Sequence, residues 1–392
     1  MRMSVGREFD VVLFGATGFT GQLTAEYLAL HAPNGCRWAV AGRSREKLMA
    51  VRERLAEINP SCADLELLVA DVTDRDSLRD VVSRTKVVAT TVGPYLRYGE
   101  PLVAVCAEVG TDYLDLSGEP EFVDRMYLAH HDAAVASGAR IVHAAGFDSI
   151  PYDLGVLFTV QQLPEGVPLS VEGYLSVSGA FSAGTYHSAI TAFSRLREMA
   201  GVAKQRRRVE PRLDGRRVKG VKGRPRFEKA AGAWVLPAPT IDPIVVLRSA
   251  RALDRYGPAF SYGHYLAFKK LPAAAAVAGA VGAAVALAQV PFTRQWLLGR
   301  MAAGEGPTPA RREKAWFRVR FVGEGGGQRV VTEVSGGDPG YGETAKMLGE
   351  SALCLAFDNL PKTSGQVTTA VAMGDRLLAR LVRAGFTFRV VE

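Results

Sequence analysis

Cysteine is scarce and scattered in this chain. The four residues, Cys36, Cys62, Cys106 and Cys354, form no CxxC pair. That spacing excludes a disulfide framework and a thiolate metal centre. The six histidines include no HExxH pattern, so no metal is expected. The start has no apolar run behind basic residues, so no secretory leader is read and a reducing cytosol is the expected compartment. Net charge is also missing from most of the molecule. Residues 204–229 hold twelve Lys/Arg against three Asp/Glu, net +9, which leaves −1 for the rest of a +8 chain. The segment has a single aromatic, Phe227, which disfavours nucleic acid. A basic loop of this kind suits an anionic membrane surface or an acidic partner, or is simply a mobile solvated loop.

What is present begins with Phe9-Asp10-Val11-Val12-Leu13-Phe14, followed by GATGFTG at 15–21 and a helix-like stretch. Strand, glycine turn and helix in that order make a cradle for a dinucleotide pyrophosphate. Small residues let the backbone approach, and the helix start offers N–H groups to the negative charge. Gly15, Thr17, Gly18, Phe19, Thr20 and Gly21 are the expected cradle. The second strand then lacks something: no Asp or Glu follows Arg37–Gly42 to hold a ribose 2′-hydroxyl. Arg43 and Ser44 stand there instead. A guanidinium grips a 2′-phosphate with two prongs, so the expected cofactor is NADP(H) rather than NAD. Ser44 could equally cap the helix that follows.

Strand candidates at 9–14, 37–41, 65–70, 87–92, 112–116 and 140–145 alternate with helical stretches at 19–31, 44–57, 74–84, 99–109 and 121–137. The alternation predicts an α/β fold: a doubly wound parallel Rossmann sheet of six strands over 1–150. From 151 to 340 the texture predicts an inserted mixed α/β domain with an antiparallel sheet, including a hairpin near 316–334 turned by Gly325-Gly326-Gly327. Residues 341–392 read as C-terminal helices, 342–358 and 366–384, returning to the first domain. Residues 271–293 carry no charge and are mostly Ala, with Val and Gly. Three readings stay open: a membrane span, a helix lying in a membrane interface or lining an acyl channel, and a buried packing helix.

Ala-Gly-Phe-Asp-Ser-Ile-Pro-Tyr-Asp-Leu-Gly at 145–155, with GATGFTG and Ala41-Gly42-Arg43-Ser44, closely resembles the saccharopine dehydrogenase-like oxidoreductase family. More narrowly, the chain looks like its trans-acting enoyl reductase branch. Thr91-Val92-Gly93-Pro94-Tyr95, Tyr113 to Glu119, Ser182-Ala183-Gly184-Thr185, Pro339 to Gly342 and Ala384 to Phe388 match as well. The resemblance is weakest in the basic loop and the Ala-rich run, and Ala183 replaces the family's more frequent glycine. It implies an NADP(H)-binding domain plus a mixed α/β domain. It also implies reduction of a carbon–carbon double bond in a lipid or polyketide chain carried by a synthase. The uncharged segment suits a long acyl chain, and the basic loop suits an acidic carrier domain. The expected location is cytoplasmic, with peripheral contact at the inner face of a membrane. Alternatives are a saccharopine-type dehydrogenase of amino-acid conjugates and a non-catalytic, lipid-associated Rossmann scaffold.

Further candidates follow from position. Asp71 ends the third strand, where it meets the adenine edge or caps the next helix. Gly93 and Pro94 follow the fourth strand, at the carboxyl edge where ligands bind. Enoyl reduction needs a proton donor, and Asp148, Tyr152, Tyr95, Tyr186 and His187 are the candidates. Asp148 could instead cap the helix containing Pro151, and His187 could be a core histidine. Tyr265 and Lys269 make a YxxxK pair far downstream of the nucleotide domain and are read as chance.

Overall fold

The computed structural model describes residues 6–178, 183–300 and 307–392. The chain divides into two compact units. The first holds residues 6–148 and Tyr341–Arg380; the second holds 149–300, Pro307–Gly340 and Leu381–Glu392.

In the first unit, strands β1 (Phe9–Phe14), β2 (Trp38–Gly42), β3 (Glu66–Val69), β4 (Thr85–Thr90), β5 (Asp112–Asp115) and β6 (Arg140–Val142) are parallel. All six residues of β1 are buried, as expected of a strand covered on both faces. The helices α1 (Phe19–His31), α2 (Arg45–Ile58) and α3 (Arg75–Ser83) supply the crossovers among the first four strands. β1 lies between β2 and β4. The strand order reverses there, which opens a crevice at the carboxyl ends.

The six-strand expectation needs correcting. Gly365–Val367, in a region read partly as helix, is a seventh parallel strand beside β6. Three residues cannot show a period. What holds them is tertiary: the Gln366 N–H donates to His131 Nδ1 at 3.0 Å, and Gln366 Nε2 donates to the Val123 carbonyl. Helix Gly342–Phe357 buries twelve residues in this unit. It is fastened to α1 by Tyr27, whose hydroxyl donates to Glu350 at 2.7 Å. Arg380 then bridges Glu350 and both oxygens of Asp358. Each charge in this set has an opposite partner, which is what allows its burial.

In the second unit the strands, in chain order, are β7 (Leu169–Ser178), β8 (Arg217–Gly220), β9 (Arg226–Glu228), β10 (Ala233–Pro237), β11 (Ala259–Phe268), β12 (Trp316–Gly325) and β13 (Gln328–Gly336). The hairpin β12–β13 stands where it was expected, with Gly325 paired to Gln328. The sheet is mixed rather than antiparallel throughout, because β11 runs parallel to both β7 and β8. The tail also differs from the all-helical expectation. Thr387–Val390 is a strand that pairs with β13 in this second sheet.

The basic segment is not a loose loop. It forms the end of helix Leu196–Val209, then β8 and β9. Several of its cations are structural. Arg206 is buried against Glu210 at 2.6 Å. Arg216 holds the Ala250 and Leu253 carbonyls, and Arg226 bridges Glu172 and Glu228. The uncharged run is a helix only over Leu271–Ala288, and a second helix follows at Pro291–Leu298. It is not a buried packing helix: of its residues only Ala274 and Ala288 are buried.

Candidate functional site

The three glycines after β1 divide into two roles. Gly15 has a φ of +85°, and a Cβ there would meet Thr91 Oγ1 at 2.7 Å. A Cβ on Gly21 would lie 2.0 Å from the Gly15 carbonyl oxygen, an impossible distance. Both residues are therefore dictated by packing inside the protein. Gly18 is different. It is exposed, and a Cβ there would meet only the Gly15 oxygen, at 3.5 Å. Its smallness leaves space outside the turn. Gly18 is also the residue before α1, which has no side-chain cap and no acidic residue in its first turn. That helix end keeps its positive pole uncompensated, the setting an anion requires. Thr17 and Thr20 are half-buried in the same turn. Phe19 packs edge-on against Tyr341, with centroids 4.7 Å apart. β4 closes the loop from behind: the Thr91 N–H donates to the Phe14 carbonyl, and its hydroxyl to that of Gly15.

Arg43 is exposed just past the end of β2. Ser44 does cap α2, accepting from the Lys47 N–H at 3.3 Å. Asp71 does not cap α3; Asp74 does, accepting from the N–H groups of Asp76 and Ser77. Asp71 instead accepts from the N–H and hydroxyl of Thr73. Those bonds, with Arg43 nearby, hold its carboxyl below the usual range. Arg43 and Asp71 thus mark one end of the crevice. An open glycine turn, an uncapped helix start and an exposed guanidinium fit an adenine dinucleotide bearing a 2′-phosphate.

The family model of the saccharopine dehydrogenase NADP binding domain matches residues 11–142. A trans-acting enoyl reductase of Mycobacterium ulcerans is 38% identical over 411 residues, covering 97% of each chain. A trans-acting enoyl reductase of Mycobacterium tuberculosis is 38% identical over 413 residues, again covering 97% of each. The chain belongs to the saccharopine dehydrogenase-like oxidoreductases, in the trans-acting enoyl reductase branch. Apo saccharopine dehydrogenase (L-Glu forming) from Saccharomyces cerevisiae shares the fold, with a TM-score of 0.58 at 14% identity over 97% of this chain and 99% of that one. The chain is accordingly an NADP-dependent oxidoreductase.

In this family member the other end of the crevice is built on acids. Gly93 and Pro94 lead from β4 into the short helix Tyr95–Tyr98. Glu119 accepts from the N–H groups of Tyr95 and Leu96, at 3.2 and 2.8 Å, and so pins that turn. Tyr95 is buried. Its hydroxyl donates to the Thr90 carbonyl and accepts from the Leu116 N–H. Burial raises its pKa well above normal. Tyr95 is thereby a strut rather than a proton donor.

Asp115, at the end of β5, is fully buried and fully paired. It accepts from Ser117 N–H, Ala144 N–H, the Tyr113 hydroxyl and His143 Nδ1, the last at 2.6 Å. Ala144 is held there at a φ of +58°, a left-handed conformation unusual for alanine. Asp148 follows. Ser149, not Asp148, occupies the position before helix Ile150–Val160, so the carboxyl is not a cap. It rests over two residues without side chains: Cβ atoms on Gly118 and Gly146 would come within 3.4 and 3.3 Å of its oxygens. Burial, then the charge on Asp115, pushes Asp148 up to about 7.

The second unit places its candidates less favourably. The Tyr186 hydroxyl donates to the Leu297 carbonyl at 3.0 Å. His187 is half-buried beside Tyr186. Ser182 lies outside the described residues, as do the side chains of Ala183 and Thr185. Tyr152 is buried and meets His264 edge-on, with centroids 4.7 Å apart. Of this second cluster, only Tyr152 stood out in the sequence. His264 lies between the Tyr262 hydroxyl at 3.0 Å and Asp242 at 3.5 Å, and burial drives its pKa down to about 3. Tyr262 and His264 are two apart on β11, but Tyr152 and Asp242 come from two separate helices, so no single pattern announces the group. Tyr265 is on strand β11, bonded to Glu172, while Lys269 is exposed; the YxxxK spacing has no helix to act on.

Proposed function

We propose that the chain reduces the carbon–carbon double bond of an enoyl thioester, acting in trans on a lipid or polyketide chain held by a carrier protein. The observation that carries this reading is the identity with named trans-acting enoyl reductases across both units, not across the nucleotide fold alone. NADPH held at the glycine turn and by Arg43 would supply the hydride for the β-carbon. The protein must then protonate the α-carbon and stabilise the enolate oxygen meanwhile. Asp148 is the residue suited to give that proton. It is shielded from solvent by the surrounding chain, and a pKa near 7 leaves much of it protonated at neutral pH. Tyr95 and Tyr186 have their hydroxyl hydrogens committed to carbonyls. Arg318 and Arg320, which face a small cavity with Tyr174 and Ser176, both lean on Glu333. Paired in this way, they make a poor clamp for the carboxylates of an amino-acid conjugate.

The test is NADPH oxidation with a long-chain enoyl thioester, with the saturated product confirmed by mass spectrometry. Asp148→Asn should lower kcat by about a hundredfold or more with little change in NADPH affinity. The wild-type rate should fall as pH rises through about 7, and the variant should lose that limb. Linkage has the same sign. A carboxyl whose pKa is raised by folding stabilises the native state below its unfolded pKa and loses that contribution as pH rises to about 7. Asp148→Asn should therefore flatten the decline in Tm over that interval. Intact NADPH binding with no turnover of any enoyl chain would refute the reading.

A further inference from the structure

The helix Leu271–Ala288 has no polar side chain, yet most of it faces outward. Its inner stripe is narrow: Ala284 and Ala288 pack with Tyr186, Ile190, Phe193 and Leu297. A face meant for water would carry charge or amide groups. The following helix adds larger apolar groups. Phe292 is 81% exposed and Trp296 51%, with Val290 and Leu287 also exposed nearby. Phe292 and Trp296 are four apart on one helix and so share a face. Exposed Leu271 marks the opposite end of the alanine-rich helix.

Along the chain, the charges that flank these two helices have one sign. Lys269 and Lys270 are exposed before the first helix, and Arg294 and Arg300 belong to or follow the second. The Arg300 guanidinium covers the Trp296 ring at 4.2 Å. No Asp or Glu occurs between Asp254 and Glu305. Aromatic and aliphatic groups flanked by cations complement a bilayer surface with anionic headgroups. A second copy of the same face would instead bring like charges together.

We propose that helices Leu271–Ala288 and Pro291–Leu298 dock the protein peripherally on an anionic lipid bilayer, with Phe292 and Trp296 entering the headgroup–acyl boundary. The helix lies on the membrane and does not cross it. β11 precedes it and β12 follows it, and both pair with β7 in one sheet. A single crossing would need a returning one, and among the described residues no second helix is long and apolar enough. This inference is independent of the proposed chemistry.

Flotation of the full chain with vesicles tests it. Vesicles of phosphatidylcholine with about 30% phosphatidylglycerol should carry the protein, and pure phosphatidylcholine should carry far less. Phe292→Glu with Trp296→Glu should cut binding by about twentyfold or more. Lys269→Glu with Lys270→Glu should cut it about tenfold on the anionic vesicles alone. Both variants should keep wild-type NADPH affinity, which reports an intact first unit, and wild-type Tm. Two results would overturn the proposal. One is no flotation on anionic vesicles, or flotation unchanged in the Phe292/Trp296 variant. The other is a solution dimer that these same substitutions dissociate, which would make the face a contact between copies.

Discussion

Two stretches of this molecule are made of small uncharged residues, and they are small for opposite reasons. In the turn after β1, Gly15 and Gly21 are crowded by the protein's own backbone and by Thr91. In the helix Leu271–Ala288, Gly279 and Gly282 have no atom within 4 Å of where a Cβ would stand. The turn is small because its inside is full. The outward glycines of the helix are small with nothing of the protein against them. Smallness in a sequence is therefore two signals, separable only by asking what the missing side chain would touch.

The contrast can be broken by filling both places. Gly21→Ala has the largest expected effect. Its Cβ would overlap the Gly15 carbonyl, so α1 must shift, at a cost of about 3 kcal/mol or more, and NADPH affinity should fall by about a hundredfold. Fluorescence titration with NADPH measures this, and near-normal binding would refute the steric account of the turn. Arg43→Ala comes next. Losing a charged two-pronged grip should weaken NADPH by about tenfold to a hundredfold while leaving NADH within about twofold. Equal loss for both cofactors would remove the 2′-phosphate role. Gly282→Ala sharpens the other side. In open helix it should raise stability by about 1 kcal/mol, with unchanged NADPH affinity. Destabilisation seen by thermal melting would mean that something does pack there.

The turn was legible in the sequence because a steric requirement writes glycine at fixed places. The parallel order of strands was legible because a sheet covered on both faces writes apolar runs, as β1 does. Gly365–Val367 was not, since a three-residue strand has no room for alternation. Nor was the true state of the basic segment: Arg206 and Arg216 look like free cations until Glu210 and the Leu253 carbonyl are brought to them. At the site, Arg43 and Gly18 could be named from order along the chain. Glu119, which pins the turn at Tyr95 from 24 residues away, could not. Asp148 was nameable by position. Its raised pKa comes from burial and Asp115, which only folding supplies.

Among the described residues, the chain passes between its two units near 148, 340 and 380. The strand Gly365–Val367 that ends the first sheet, and the strand Thr387–Val390 that edges the second, both come from the last thirty or so residues. Neither half can be cut out as one continuous gene fragment. On the ribosome, the two sheets cannot gain these strands until residues 367 and 390 have emerged. Shortened versions for crystallisation or domain exchange should therefore splice discontinuous pieces and keep the carboxyl terminus.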